Sequence, residues 1–186
     1  MNEQSITSDQ ELLAAVQKGD VQAFKTLVKT YEPRIAATVI GMLGNCPEAD
    51  DVGQETFIRF YHHIDRFKGN SSLATYLTRI AINLSLNELK RRRRRHQRQV
   101  PLESAYEQAS EAALEYQEDR NRLVHQALQQ LDVKYRTVVV LRWLEDYSTK
   151  ETAEILQLPQ GTVLSRLSRG LEKLRNVLQP QLEEIV

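Results

Sequence analysis

The chain has 186 residues, a formal net charge of +0 from 25 basic and 25 acidic side chains, and a single cysteine, Cys46. That length suits one ordinary domain or two small ones, and the lone cysteine excludes an internal disulfide framework and fits a reducing compartment. No apolar run approaches the roughly 18 to 20 residues of a membrane-spanning helix, and the polar start lacks a basic-then-apolar leader, so a soluble, cytoplasmic protein is expected.

Seven glycines and five prolines are few, and the chain is rich in residues that favour helix, so an all-α fold is expected. Ser8 with Glu11 has the pattern of a capping box for a first helix, Gly19 ends it, and Asp20 can cap the next. Apolar spacing predicts helices over residues 23–41, with a kink or break at Pro33, and over 49–66. In the latter, Val52, Phe57, Phe60 and Ile64 can face inward, leaving Asp51, Gln54, Glu55, Ile58, His62 and Asp65 outside. An acidic face with one aliphatic residue near its middle suits a protein partner better than DNA. A solvated face with one stray Ile is the plainer alternative.

After a loop at Gly69, Asn70, Ser71 and Ser72, a long helix carries a core stripe of Leu73, Leu77, Ile80 and Leu84. Tyr76, Arg79, Asn83 and Lys90 fall within about 60° on another face. A ring beside Arg and Asn is what a stacking platform for unpaired bases requires. The basic run from Lys90 to Arg95 extends that face toward phosphates. Cations at a helix end also favour the dipole, but five consecutive arginines exceed what capping needs. A nuclear-localisation reading fits the run too, with nothing else behind it.

From Glu103 to Asp119 there is no Lys or Arg, and Glu103, Glu107, Glu111 and Glu115 recur every four residues, which would stack like charges on a helix. With Pro101 this reads as an acidic flexible linker. Helical spacing returns over residues 122–131, 134–145, 149–156 and 161–178. The Val138, Val139, Val140 triplet could be strand, but Tyr135, Leu141 and Leu144 restore a helical stripe. The expected organisation is two small helical domains, 1–96 and 120–186, joined by a linker at 97–119.

In the second domain Ser148 and Glu151 form another capping-box pattern, Ala153 is small enough for a close crossing, and Leu158-Pro159-Gln160-Gly161 breaks the chain. In the following helix Val163, Leu167, Leu171, Leu174 and Leu178 lie within roughly 80°, and Thr162, Ser165, Arg166, Arg169, Lys173 and Asn176 fill a roughly 100° arc opposite. This is the layout of a helix-turn-helix whose second helix enters a major groove. A merely solvated arc is the bland alternative for any one of these residues. His62 and His63 near Cys46 lack metal-closing spacing. No phosphate loop or nucleophile–base arrangement is present, so neither cofactor nor catalysis is expected.

Taken in order, Gly19-Asp20, Ala23-Phe24, Ala49-Asp50-Asp51-Val52, Gln54-Glu55-Thr56-Phe57, Asp65-Arg66-Phe67, Ser71-Ser72, Thr75-Tyr76-Leu77, Arg79-Ile80-Ala81 and Asn83-Leu84 resemble the extracytoplasmic-function (group 4) sigma factors of bacterial RNA polymerase. Leu131, Arg136, Leu141-Arg142, Glu151, Ala153-Glu154, Gly161-Thr162-Val163 and Ser165-Arg166-Leu167 continue the likeness.

The resemblance implies a sigma domain two that docks on core RNA polymerase through Asp51, Gln54, Glu55, Ile58 and His62. The same domain would melt the minus-10 promoter element and hold a flipped base, at a cost of a few kcal/mol that the pocket must offset. Lys68, Asn70, Ser71, Ser72, Thr75, Tyr76, Arg79, Asn83, Asn87 and Lys90 are the implied contacts. A sigma domain four would read the minus-35 element through Thr162, Ser165, Arg166, Arg169 and Lys173. The linker would thread the polymerase's RNA path, and an anti-sigma factor, often membrane-anchored, would hold activity off. Three positions depart from the family pattern: Tyr76 stands where Trp is common, Gln157 where the turn often has Gly, and Pro159 where Ser often caps the recognition helix. The rival reading is a free-standing helix-turn-helix regulator, which would need a sensory first domain that the pattern lacks.

Overall fold

Gly19, at φ +86°, closes the first helix α1 (Glu3–Gln17) in the backbone region that favours glycine. Asp20 then starts α2 (Val21–Leu43), its Oδ1 accepting from the amides of Gln22 at 2.8 Å and Ala23 at 3.1 Å. These details belong to a computed structural model of the chain, in which residues 3–98 and 115–183 are described. Among them every regular element is helical. Ser8 and Glu11 lie inside α1 rather than at its start, a correction to the capping box read from sequence. Similarly, α2 continues through Pro33 without ending there. Packing on both sides of the proline outweighs the one backbone bond it removes, with Leu27, Ile35 and Val39 at 0–1% exposure.

Next come α3 (Pro47–His62), with Pro47 in its first turn, a 3₁₀ turn (Ile64–Arg66), and α4 (Leu73–Arg98). The expected helix over 49–66 is therefore two pieces, with His63 between them. The second half begins with α5 (Glu115–Gln130), so helix starts earlier than expected and takes in the last residues assigned to the linker. The rest of that acidic stretch, residues 99–114, lies outside the described residues. Then follow α6 (Val133–Val139), a π turn (Val140–Leu144), α7 (Thr149–Leu156) and α8 (Gln160–Glu183). The valine triplet is helical and fully buried.

Leu13, Leu27, Phe57, Phe60, Leu73 and Leu77 from the first half share one continuous core with Leu128, Val139, Leu141 and Leu174 from the second. The two modules are packed on each other, and Gly41 on α2 shows how closely. A Cβ there would come within 3.0 Å of Val140 Cγ2. Gly170 does the same for α8 on α6, where a Cβ would lie 2.7 Å from Val139 Cγ2. Neither approach tolerates a side chain without displacement.

Candidate nucleic-acid interface

In the first module the loop before α4 is tied to the helix it precedes. Ser72 Oγ accepts from the Thr75 amide at 3.1 Å and lies 2.8 Å from the Thr75 hydroxyl. This cap buries Thr75 to 1% exposure, so Thr75, expected among the DNA-facing residues, supports the loop from within. Ser72 is half-buried and occupied by the cap. Lys68 and Asn70 are exposed, and Ser71 is half-buried.

The buried side of α4 takes in Leu73, Leu77, Thr78, Ala81, Ile82, Leu84 and Ser85. Tyr76, Arg79, Asn83, Asn87 and Lys90 lie on its other side, with Asn83, Asn87 and Lys90 exposed and the first two half-buried. Tyr76 is braced by two aromatic edges, its ring centroid 5.1 Å from that of Phe67 and 6.2 Å from that of Phe60. A ring held this way keeps a fixed orientation, as a stacking platform must. Beside it Arg79 has a buried Nε without a hydrogen-bond partner.

The basic run is divided between two tasks. Arg91, Arg92 and Arg95 all reach the buried carboxylate of Glu88, at 2.7, 3.5 and 3.0 Å. Arg92 also bonds the Leu43 carbonyl, Cys46 Sγ and Glu48, fastening the end of α4 to the turn between α2 and α3. These arginines carry a structural duty that the sequence reading did not foresee. Lys90, Arg93 and Arg94 are exposed.

On α3 the outward face forms as expected. Ile58 is 49% exposed, Asp51, Gln54 and His62 are exposed, and Glu55 is half-buried in an ion pair with Arg59 at 2.7 Å. Phe57 and Phe60 anchor the opposite side.

In the second module Ser148 Oγ accepts from the Glu151 amide at 3.1 Å, and Glu151 Oε2 accepts from the Ser148 amide at 2.9 Å. The capping box is complete, and the Ser148 bond holds the Glu151 carboxyl below its usual range. Gln157 ends α7 in the left-handed region at φ +53°, ψ +46°, the conformation a glycine would take without strain. Pro159 sits just before α8, its carbonyl accepting from Thr162 at 2.9 Å and Val163 at 3.1 Å. It is therefore the residue flanking the helix rather than one inside its first turn.

On α8, Val163 and Leu174 are buried and Leu167 and Leu178 half-buried, but Leu171 is 37% exposed. The packed stripe is narrower than periodicity implied because Gly170 brings the backbone against α6 at that level. Ser165, Arg169, Lys173 and Asn176 are exposed and Thr162 and Arg166 half-buried, all on one arc. Lys173 Nζ lies 5.7 Å from the Tyr135 ring centroid, which steadies one cation on that arc. No cluster of three or more metal-ligating side chains occurs among the described residues, and no described helix is long and apolar enough to cross a membrane.

The chain matches the Sigma-70 region 2 family over residues 27–95 and the Sigma-70 region 4 family over residues 121–174. It is 38% identical to the RNA polymerase sigma-H factor of Pseudomonas aeruginosa, covering 95% of this chain and 96% of that protein. It is 34% identical to the ECF RNA polymerase sigma factor SigW of Bacillus subtilis, covering 88% and 93%. Among solved structures, the sigma factor RpoE in complex with the anti-sigma factor NepR from Bartonella quintana is similar at TM-score 0.69 and 26% identity, over 86% of this chain and 98% of that one. With two family regions in order and relatives matched end to end, the chain belongs to the ECF sigma factors of RNA polymerase.

Proposed function

We propose that the two modules divide the work of promoter recognition on behalf of core RNA polymerase. Residues 1–96 dock on the enzyme through Asp51, Gln54, Glu55, Ile58 and His62, and open the minus-10 element with Lys68, Asn70, Ser71, Tyr76, Arg79, Asn83, Asn87 and Lys90. Residues 120–186 read the minus-35 element as duplex with Thr162, Ser165, Arg166, Arg169 and Lys173. Ser72 and Thr75 set the shape of the minus-10 loop. The acidic tether at 97–119 occupies the enzyme's RNA path. The chain acts in the cytoplasm and is restrained by an anti-sigma factor, the partner with which the Bartonella relative was crystallised.

One observation carries this reading: a rigidly braced Tyr76 beside Arg79 on α4, and a cationic arc on a capped α8, leave the acidic, Ile58-centred face of α3 free for protein. The experiment separates the surfaces. Ile58→Glu is expected to reduce affinity for core polymerase at least tenfold, or about 1.4 kcal/mol, and to spare binding of the isolated minus-35 duplex. Arg166→Ala is expected to cost about 1–3 kcal/mol in minus-35 recognition with core affinity intact. Equal loss of core affinity in both variants contradicts the division.

A further inference from the structure

Glu88 is the only acidic residue of α4, and it stands at the root of the basic run. Its side chain is 8% exposed, with Arg91 Nε 2.7 Å from one carboxylate oxygen and Arg95 Nη2 3.0 Å from the other. Arg92 Nε lies 3.5 Å away, but that guanidinium is largely covered and engaged with the Leu43 carbonyl, Cys46 and Glu48, so Arg92 acts as a brace. The other two arginines are differently placed, their side chains 62% and 51% exposed. Each gives part of its guanidinium to Glu88 and keeps further N–H donors for a ligand outside. Exposed ion pairs add little to stability. Holding a long cationic side chain in one geometry, however, removes part of the ordering cost that a phosphate contact would otherwise carry.

The placement of this pair along α4 points to that ligand. At about 100° per residue Arg94 falls on the arc of Tyr76, Asn83 and Lys90, and Arg91 and Arg95 lie about 60° and 100° round from Arg94. Arg91 and Arg95 are one turn apart, about 6 Å along the axis. From Tyr76 to Arg91 the helix rises about 22 Å, on the order of six base pairs at about 3.4 Å each. The basic end of α4 is also the end from which the chain runs on to the second module, which puts it on the spacer side, where the DNA is still paired.

The opposite flank excludes DNA. There Arg91 and Glu88 share the wall of a cleft with Glu48, Asp51 and Glu55 of α3. Those carboxylates repel a nucleic-acid strand and would attract a loose arginine. Glu88 keeps Arg91 paired on its own helix, at the border between the two surfaces.

We infer that Glu88 is a positioning residue for promoter DNA: its buried carboxylate holds Arg91 and Arg95 as a preformed grip on phosphates of the duplex spacer beside the minus-10 element. The inference rests on the proposed assignment of that element to α4. Because the carboxylate is covered, an approaching phosphate meets guanidinium groups rather than the acid. Glu88 thus lowers the charge of the run and still strengthens its hold on DNA.

The sign of one substitution tests this. By charge alone Glu88→Gln should tighten DNA binding, since it removes a negative group from a basic run. Positioning predicts the reverse. At saturating core polymerase, the Glu88→Gln chain is expected to bind a duplex promoter at least fivefold more weakly than wild type, with a log–log salt slope shallower by about one. Binding of core polymerase and of an unpaired minus-10 strand should stay within twofold of wild type. Arg91→Ala with Arg95→Ala is expected to show the same loss on the duplex promoter, and adding Glu88→Gln to that pair should cost less than a further twofold. Tighter promoter binding by Glu88→Gln overturns the inference. So does a Glu88→Gln loss that persists in full without the two arginines, or wild-type promoter affinity in the arginine variant. Should Glu88→Gln not fold, Glu88→Met, apolar and of similar volume, takes its place with the same outcomes. Wild-type chain that confers no promoter binding on core polymerase marks failure of the functional reading instead.

Discussion

Gln157 holds a left-handed backbone conformation at the end of α7, where an L side chain crowds the following carbonyl. Family resemblance marked this position as one where glycine is common, and the turn geometry supplies the reason. Gln157→Gly relieves the strain and gives back part of the gain as unfolded-chain entropy. The expected net is a stabilisation of about 1 kcal/mol, seen as a rise in Tm of about 2–4 °C for a chain of this size. A lower Tm would show that the glutamine side chain makes a compensating contact. Arg136 illustrates the opposite limit of legibility. It was visible as a family position, but its duty on the Met42 carbonyl depends on a partner 94 residues away. Burial lowers its pKa to about 10, with the Arg92 charge adding to the effect, so it stays cationic at neutral pH.

At the scale of elements, what could be read from sequence was what local chemistry determines. Asp20, Gly19 and the Ser148–Glu151 box act through neighbours within three or so residues, and each forms as expected. The pattern at Ser8 and Glu11 has the same spelling but sits within a helix that starts at Glu3. A cap motif permits a start without requiring one. Faces were legible where one side is apolar, as on α3, and less so where an element is packed on several sides. Thr75 and Leu171 illustrate this: periodicity put Leu171 inside and the family motif put Thr75 outside, and their real neighbours, Ser72 and the close approach at Gly170, are set by loop and crossing geometry. The arginine run carries a second duty for a related reason: charge alone points it to phosphates, but Glu88, one to two turns earlier on the same helix, also pairs with three of the guanidinium groups.

For the whole molecule, closure of the two modules on each other carries a proton. Glu145 is buried between the modules, and burial raises its carboxyl to about 7 from an ordinary 4.5, with Arg34 opposing the shift. The closed state therefore holds this proton more tightly than an open state in which the carboxyl meets water. Closure gains fully from it below about pH 4.5 and loses that gain as pH rises through about 7. Arg34 and the Tyr147 phenol face the carboxyl, and burial raises the phenol further above that window. From about pH 6 to about pH 8 the closed-to-open ratio should fall about tenfold, read as expansion by small-angle scattering or as a lengthened inter-module distance by fluorescence. Glu145→Gln should flatten the profile, and an unchanged slope in that variant would assign the proton elsewhere.

Promoter use by this chain is expected to depend on core RNA polymerase. Run-off transcription from a promoter carrying both elements, with purified chain and purified core, tests it most directly. A defined transcript is expected only when both proteins are present, with weak binding of the promoter by the chain alone. Tight binding of the promoter by the chain alone, with no transcript when core polymerase is added, would contradict it.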